Sequence, residues 1–361
     1  MRLLFLCNTL YQIIAASCIR KMYSDYPADI ILSDHSVAGK ELCGTLQKNG
    51  LIFNNAYYVE SKHLYEYDDS LSRVQRFSDY RSCNTLLSHL KLEEPYDAFF
   101  CANAEPFSER LATYIKRTNA AATINWFEDG LSAYNSDQLY FPKGWQKIRD
   151  ILKKKFGVYR ITCSLDGYYV FRPENMEWTP PAEVKRIEPM DQALAGELAR
   201  LFDFANCPDT YSEKYIFLED GARDWNNPTD VEYVQKIADV VGKENILVKI
   251  HPRNPVNRFA ELGFKTNQDL SIPWEVIAPN IGIENKVLIT MFSQSVITPC
   301  ILSARMGKAL VLGKIDKGDT STILRGLDFM DRKFFKVFPD KFFVPESEME
   351  FEEYLAHLQE K

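Results

Sequence analysis

The residues best placed for chemistry follow a short apolar run in the second half of the chain. In "ILVKIHPRN", residues 246–254, the aliphatic residues predict a buried strand that ends at once in His251, Pro252 and Arg253. Ligands bind at the carboxyl edge of open α/β sheets, so an imidazole that can carry a proton near pH 7, beside a fixed cation, is well placed for chemistry there. A histidine that only caps the strand, next to a surface arginine, is the alternative.

Carboxylates form a second group of candidates. "NWFEDG" ends another apolar run with Glu128, Asp129 and Gly130. Adjacent carboxylates can raise one pKa by repulsion, which suits a general base, whereas the plain alternative is an acidic turn closed by a glycine at positive φ. In "SIPWEV", Glu275 opens a predicted helix after Pro273. It could accept two hydrogen bonds from a ribose diol or be an ordinary acid in a first turn.

Two serines in "MFSQSVITP", residues 291–299, are candidates for phosphate binding. Ser293 and Ser295 lie between a predicted strand and a helix predicted from about Ser295 to Arg305. Free backbone N–H groups and the helix dipole favour a phosphate at such a point. Ser295 can also be a simple helix N-cap, a role that does not exclude phosphate binding.

Two sets of alternating strands and helices must position these side chains. The first half alternates up to Gly130 and includes a long helix predicted near 69–91, which implies a mainly parallel sheet with helices on its faces. Residues 173–189 hold four prolines among charges and predict a linker, after which a second alternating set begins. We therefore expect an α/β protein with two Rossmann-type parallel-sheet domains facing a cleft. The expected divisions are a first domain 1–180, a second domain 190–335, and a C-terminal segment 336–361 that packs across both.

Composition narrows the class of protein. The chain has 361 residues, 46% of them hydrophobic, with a formal net charge of -7, which argues against a general nucleic-acid binder. The eight cysteines include no C-x-x-C pair, so they indicate buried thiols in a reducing compartment rather than a metal site. No run approaches the roughly 20 apolar residues of a membrane span. These features predict a globular protein that is cytoplasmic or peripheral.

One segment suits peripheral contact with the anionic lipid of a membrane surface. "WQKIRDILKKKFGVYR", residues 145–160, places apolar residues at roughly helical spacing among six basic residues. A solvated basic helix that packs its apolar stripe on its own domain is the alternative. A homodimer is also left open by the sequence.

In combination, the motifs resemble those of bacterial sialyltransferases of GT-B type. A strand ending in E-D-G in the first half is followed in the second by H-P-R, P-x-E and F-S-x-S. The opening "LLFLCNTLYQ" and the H-P-R are most similar to glycosyltransferase family 52, the lipooligosaccharide and capsule sialyltransferases. The resemblance runs from residue 1 to about residue 310, and the order and spacing of its short motifs make it specific.

The resemblance implies an inverting, metal-independent transfer of sialic acid from CMP-sialic acid to a hydroxyl of a surface glycan, with no cofactor. His251 would donate a proton or positive charge to the leaving CMP phosphate, assisted by Arg253. Ser293 and Ser295 would hold that phosphate, and Glu275 would bind the ribose. The remaining site residues assigned in this way are Phe292 and Pro252 on the nucleotide side and Thr9, Gln12 and Gly130 on the acceptor side.

The catalytic base is left open among four carboxylates. Related sialyltransferases use the D/E-D/E-G motif, here Glu128 or Asp129. In family 52 the base instead resembles an aspartate that opens a helix about twenty residues before the histidine. Asp230 fits this position best. Asp220 in "FLEDG" is a further candidate. Two rival functions also remain: a GT-B transferase with another donor, such as a glucosyl or Kdo nucleotide, and a non-catalytic glycan-binding assembly subunit.

Overall fold

A computed structural model describes residues 1–50, 52–83, 90–92, 95–134, 144–221, 229–254, 256–316 and 321–359. The chain divides into two compact units, Met1–Leu201 and Phe202–Lys361. All eight cysteines are free thiols, and most of them are buried. Within the described ranges, no helix has the length and apolar character needed to cross a membrane.

The first unit is built on a seven-stranded parallel sheet in the order β3-β2-β1-β4-β5-β6-β7. Its central strands are buried on both faces, which explains why they are continuous apolar runs in the sequence. The strands are β1 (Leu3–Cys7), β2 (Ala28–Ser33), β3 (Asn55–Val59), β4 (Ala98–Cys101), β5 (Thr123–Phe127), β6 (Gly167–Val170) and β7 (Glu183–Arg186).

Seven described helices surround this sheet: α1 (Leu10–Met22), α2 (Gly39–Asn49), α3 (Leu64–Ser70), α4 (Arg73–Ser82), α5 (Pro106–Thr118), α6 (Trp145–Lys155) and α7 (Gln192–Leu201). The single long helix predicted near 69–91 is wrong. Ser72 forms a capping box with Gln75 and starts a new helix, and Cys83 ends it in the left-handed conformation. Residues 84–89 of that prediction lie outside the described residues.

The segment predicted as a linker contributes to the first sheet. Residues 183–186 form β7, which pairs in parallel with β6, and α7 follows before the unit ends at Leu201. The boundary between the compact units therefore lies after the proline-rich segment and not within it.

The second unit carries a six-stranded parallel sheet in the order β10-β9-β8-β11-β12-β13. Its strands are β8 (Tyr215–Leu218), β9 (Ile246–Lys249), β10 (Lys265–Thr266), β11 (Val287–Thr290), β12 (Lys308–Val311) and β13 (Phe342–Phe343). Its described helices are α8 (Thr229–Val241), α9 (Arg258–Glu261), α10 (Trp274–Ile277), α11 (Thr298–Leu302), α12 (Ser321–Met330) and α13 (Glu348–Gln359).

The C-terminal segment packs on the core of its own unit. Phe351 of α13 meets Tyr233 of α8 edge-on at 5.3 Å between ring centroids, and Tyr354 stacks on Phe343 at 4.6 Å. Both helices cover one face of the second sheet. Packing of this segment across both domains stays a prediction.

Each sheet has one point at which the strand order reverses. In the first sheet the reversal lies between β1 and β4, and in the second between β8 and β11. Ligands of open α/β sheets bind outside the carboxyl ends of the strands at such a point. The register sets Phe217 of β8 beside Val248 of β9 and Ile289 of β11, so the residues that follow these three strands emerge at one edge.

Candidate active site

A cavity of about 430 Å³ opens at the carboxyl edge of the second sheet, at its reversal point. The loops after β8, β9 and β11 and one side of α12 form its walls. It is lined by Asp220, Gly221, His251, Arg253, Phe292, Ser293, Gln294, Ser295, Gly326, Leu327 and Met330. The sequence-based assignments His251, Arg253, Asp220, Phe292, Ser293 and Ser295 therefore meet in one place.

His251 is half-buried, and two hydrogen bonds fix it, one through its backbone N–H and one through its ring. Its N–H donates to Glu219 Oε2 at 3.0 Å, and its ring Nδ1 accepts the N–H of Arg253 at 3.2 Å. An Nδ1 that accepts leaves the proton of the neutral ring on Nε2. Burial, with help from the positive charges of Arg253 and Lys249, lowers the pKa of His251. The ring is thus a neutral hydrogen-bond donor through Nε2 in the free protein.

The loop after β11 offers hydroxyl groups to the cavity. The Ser293 hydroxyl oxygen accepts the N–H of Ser295 at 3.4 Å, and this contact leaves the hydroxyl proton of Ser293 available to a ligand. The helix predicted from about Ser295 to Arg305 is shorter than expected. A 3₁₀ turn, Gln294–Val296, precedes α11, which spans only Thr298–Leu302. So short a helix adds little dipole at the serines, and their hydrogen-bonding groups are what a phosphate would meet.

Asp220 follows β8 and braces the serine loop. Its Oδ2 accepts the N–H of Phe292 at 3.3 Å, and its carbonyl oxygen accepts Asn254 Nδ2 at 3.2 Å. The carboxylate is 7% exposed and lines the cavity. It ties together the loops after β8, β9 and β11, so it contributes to the shape of the cavity as well as to its charge.

Two residues assigned to the nucleotide are placed differently. Glu275 lies in the first turn of α10, and neither it nor Pro252 is among the described residues that line the cavity. Burial raises the pKa of Glu275, while the charge of Lys249 opposes that shift. Lys249 itself is 7% exposed at the end of β9. Ribose binding by Glu275 stays a prediction.

Asp230 lies in a buried ion-pair network and not in the cavity lining. Its two carboxylate oxygens accept Arg258 Nη1 and Nη2 at 3.2 and 2.6 Å, and its Oδ1 also accepts the N–H of Val231. Arg258 Nη2 reaches Glu219 Oε1 at 3.3 Å, and Glu219 holds the His251 backbone. Asp230 is 1% exposed and is connected to the His251 loop through Arg258 and Glu219. Its role as the catalytic base stays a prediction.

In the first unit the two adjacent carboxylates have different environments. Glu128 is fully buried and accepts hydrogen bonds from Tyr11 Oη at 2.6 Å, Tyr134 Oη at 2.5 Å and the N–H of Phe171 at 2.9 Å. Burial raises its pKa to about 7, and these donors partly offset the shift. Both carboxylate oxygens of Glu128 accept hydrogen bonds, from α1, from the turn after β5 and from the residue after β6, so few of its lone pairs are open to an acceptor hydroxyl.

Asp129 is partly exposed, and its Oδ1 accepts the hydroxyl of Thr9 at 3.2 Å. Burial raises its pKa, with hydrogen bonds from Gln12 and Thr9 acting in the opposite direction. Gln12 is buried; its Nε2 donates to Asn103 Oδ1 at 2.7 Å, and its Oε1 accepts the N–H of Asn8 at 2.6 Å. These contacts hold the side chain that donates to Asp129 in place. Gly130 has φ +79°, as the turn interpretation requires. Thr9, Gln12 and Gly130 thus surround Asp129 at the edge of the first sheet.

Four residues that support the site were not predicted from the sequence: Glu219, Arg258, Asn254 and Gly221. A signal exists for Glu219 and Gly221, because "FLEDG" at 217–221 repeats the strand-end E-D-G of 128–130. The roles of Glu219 and Arg258 depend on contacts between distant segments. Within the described part of the chain, no cluster of three or more histidine, cysteine or acidic residues could hold a metal ion.

The sequence matches no protein-family model and no curated protein. Its fold is similar to that of solved glycosyltransferase structures. The spinosyn forosaminyltransferase SpnP superposes with a TM-score of 0.53 at 12% identity, over 100% of this chain and 91% of that chain. The glycotransferase of kitacinnamycin superposes with a TM-score of 0.51 at 9% identity, over 100% of this chain and 91% of that chain. The calicheamicin glycosyltransferase CalG4 superposes with a TM-score of 0.50 at 10% identity, over 99% of this chain and 93% of that chain. At these identities the likeness establishes the fold: two Rossmann-type parallel-sheet units of GT-B type, as the sequence predicts.

Proposed function

We propose that this chain is a glycosyltransferase that moves a sugar from a nucleotide donor to a glycan hydroxyl. The observation that carries the proposal is the convergence of His251, Arg253 and Ser293 on one cavity at the strand-order reversal of the second sheet. This is where an α/β sheet binds nucleotides, and all three side chains can serve as donors to a phosphate. The GT-B fold supports the same reaction class by analogy.

In the proposed reaction, the second unit stabilises the leaving nucleotide. Breaking the bond between the sugar and the phosphate oxygen leaves negative charge on the phosphate. The Nε2–H of His251 is a donor on a ring held in place through Nδ1, and the exposed guanidinium of Arg253 lines the same cavity. Donors at this point act most strongly when that charge develops in the transition state. The free hydroxyl proton of Ser293 adds a third donor. Because Nδ1 already accepts the N–H of Arg253, His251 would act on the phosphate as a neutral donor through its Nε2–H.

In the proposed reaction, Asp129 of the first unit removes the acceptor proton. Asp129 is partly exposed, and burial raises its pKa. Its carboxylate accepts the hydroxyl of Thr9 through Oδ1 and keeps lone pairs for an acceptor hydroxyl. Glu128 and Asp230 are occupied by structural partners, and Asp220 braces the donor cavity. A raised pKa brings a carboxylate closer to the working pH, which suits a general base.

For the donor, we propose CMP-sialic acid and an inverting transfer to a surface polysaccharide or lipooligosaccharide, without a metal ion. Support comes from the order of the E-D-G, H-P-R, P-x-E and F-S-x-S motifs. A glucosyl or Kdo nucleotide is the second candidate, because the similar structures are named as a forosaminyltransferase and a calicheamicin glycosyltransferase rather than as sialyltransferases. Peripheral contact with the cytoplasmic membrane face and a homodimer remain part of the proposal.

Calorimetric titration of the full chain with CMP, UDP and TDP, each with and without EDTA, tests the donor site. CMP is expected to bind best and equally well in chelator, and the protein is expected to hydrolyse CMP-sialic acid slowly in the absence of an acceptor. His251→Ala should lower that turnover at least about a hundredfold, the usual effect of removing one preorganised donor. Preference for UDP or TDP would move the assignment to the second candidate. Absence of nucleotide binding altogether would reject the glycosyltransferase proposal and favour a glycan-binding subunit.

A further inference from the structure

Helix α6 presents its apolar side to solvent. Trp145 is 83% exposed, and the next apolar residues along the helix, Ile148, Ile151 and Leu152, are each close to half exposed. The alternative in which this stripe packs on its own domain is therefore wrong. Exposure of several large apolar side chains on one helix is unusual on a protein surface and indicates a binding face.

The opposite side of α6 is polar and faces the protein. Asp150 is 5% exposed, and its Oδ1 lies 3.1 Å from Lys153 Nζ and 3.5 Å from Arg149 Nε. At the end of the helix, Phe156 meets Phe77 of α4 edge-on at 6.5 Å between centroids. Asp150 is buried on the side of the helix opposite Trp145, Ile148 and Leu152, so these three apolar side chains are directed outward.

A basic cavity of about 480 Å³ lies beside α6. Five cationic side chains line it, with three apolar or aromatic ones and no carboxylate among the described lining residues: Arg73, Arg76, Arg149, Lys153, Arg160, Phe77, Tyr80 and Val158. The Nε of Arg76 is buried without a hydrogen-bond partner. Arg160 is paired with Glu109 at 3.3 Å, whereas Arg149 is 63% exposed at the mouth. Arg76 pairs with Asp69 at 3.7 Å, and Arg149 and Lys153 both pair with Asp150, so these carboxylates partly offset the positive charge of the cavity. Donor capacity remains at the Nε of Arg76 and at the exposed guanidinium of Arg149.

We propose that α6 and the basic cavity beside it form one surface that binds an anionic phospholipid bilayer. The apolar stripe would enter the headgroup region, and the arginines would hold a lipid phosphate. An amphipathic helix with Trp and aliphatic residues on one side and Lys or Arg beside them is suited to the membrane interface, and each cation near an anionic surface strengthens binding. The proposal does not depend on the sugar donor or on the glycosyltransferase activity.

Vesicle flotation of the full-length protein tests the surface. The two preparations are vesicles of phosphatidylcholine alone and vesicles in which half of that lipid is replaced by phosphatidylglycerol. Wild-type protein is expected to float with the anionic vesicles and only weakly with the neutral ones. The double variants Arg73→Glu/Arg149→Glu and Ile148→Ser/Leu152→Ser are each expected to lower partitioning about tenfold or more.

Matched controls distinguish binding by this surface from the effects of net charge and of exposed apolar residues elsewhere. Lys48→Glu/Arg200→Glu makes the same change in net charge at exposed sites of the first unit, and Val37→Ser/Val337→Ser removes two exposed apolar residues elsewhere. Both controls should float like the wild type. The controls and Ile148→Ser/Leu152→Ser should keep the wild-type melting temperature because the changed side chains are exposed, whereas Arg73→Glu/Arg149→Glu should stay folded with a lower melting temperature because Asp150 loses one partner. Equal flotation of the α6 or arginine variants and the controls would overturn the proposal. So would saturable binding of inorganic phosphate without any vesicle binding, since the cavity would then serve a soluble anion.

Discussion

Gly221 lies directly against the imidazole of His251. A Cβ built on Gly221 would come within 2.2 Å of Cε1, 2.4 Å of Nδ1 and 2.6 Å of Nε2 of that ring. Since real Cβ atoms do not approach other atoms so closely, only glycine allows the end of β8 to lie flat on the ring that follows β9. The position of the candidate phosphate donor is therefore set by a residue with no side chain.

Gly221→Ala is expected to displace His251 and to lower turnover about as much as His251→Ala, on the order of a hundredfold. The fold should survive, because Gly221 is exposed and the ring can swing toward the cavity. Initial rates of donor hydrolysis and thermal melting measure the two effects. Gly196→Ala is the matched control, since a Cβ there meets nothing within 4 Å. Full activity in Gly221→Ala would show that the ring position seen here is not the catalytic one.

Arg253→Ala is expected to raise the pKa of His251. Burial is the main cause of the lowered pKa, and the positive charges of Arg253 and Lys249 add to it, so removal of the guanidinium should move the pKa back toward its ordinary value without exceeding it. The Arg253 backbone N–H, which holds Nδ1, is kept in this variant. NMR titration of the imidazole, assigned with His251→Ala, measures the shift. An unchanged pKa would mean that the guanidinium acts too far from the ring to assist a phosphate.

The sequence predicts the layers of the fold well because the central strands are buried on both faces. Residues 246–250, for example, are continuously apolar apart from Lys249, and the strand-end rule brings the next residues to the ligand edge. β7 escapes prediction because it is a partly exposed edge strand, Glu183–Arg186, between prolines. The break at Ser72 has a signal in the sequence, the capping pair Ser72 and Gln75, which the prediction of one helix near 69–91 does not include.

The roles of the carboxylates are the least predictable part of the site. Glu128 and Asp129 are neighbours in sequence, yet one is closed in by Tyr11, Tyr134 and the backbone of Phe171 while the other reaches solvent. These partners come from segments up to 117 residues away, so no local pattern indicates them. The same holds for Asp230, whose partner Arg258 lies on another helix.

Asp129→Asn is expected to lower kcat about a hundredfold or more and to remove the acidic limb of the pH–rate profile, because the amide keeps the shape but cannot take a proton. Its thermal stability should stay close to that of the wild type. Glu128→Gln is expected to behave in the opposite way. The new amide group would place an N–H donor against one of the three donors that now surround the buried carboxylate. The unsatisfied donors would lower the free energy of unfolding by about 1–3 kcal/mol. Loss of the acidic limb in Glu128→Gln, with the limb kept in Asp129→Asn, would exchange the two roles.

Asp230→Asn is expected to destabilise the second unit without changing the acidic limb. Breaking a buried ion pair usually costs about 3–5 kcal/mol, but Arg258 keeps Glu219 as a partner, so we expect a loss of roughly 2 kcal/mol in urea unfolding. Turnover should fall only modestly, through Glu219 and the His251 backbone that it holds. Glu232→Gln, an exposed change in the same first turn of α8, is the control and should leave stability near that of the wild type. If Asp230→Asn instead abolished turnover and the acidic limb at unchanged stability, the spacing resemblance to family 52 would identify the base correctly. Asp129 would then be only a turn residue at the edge of the first sheet.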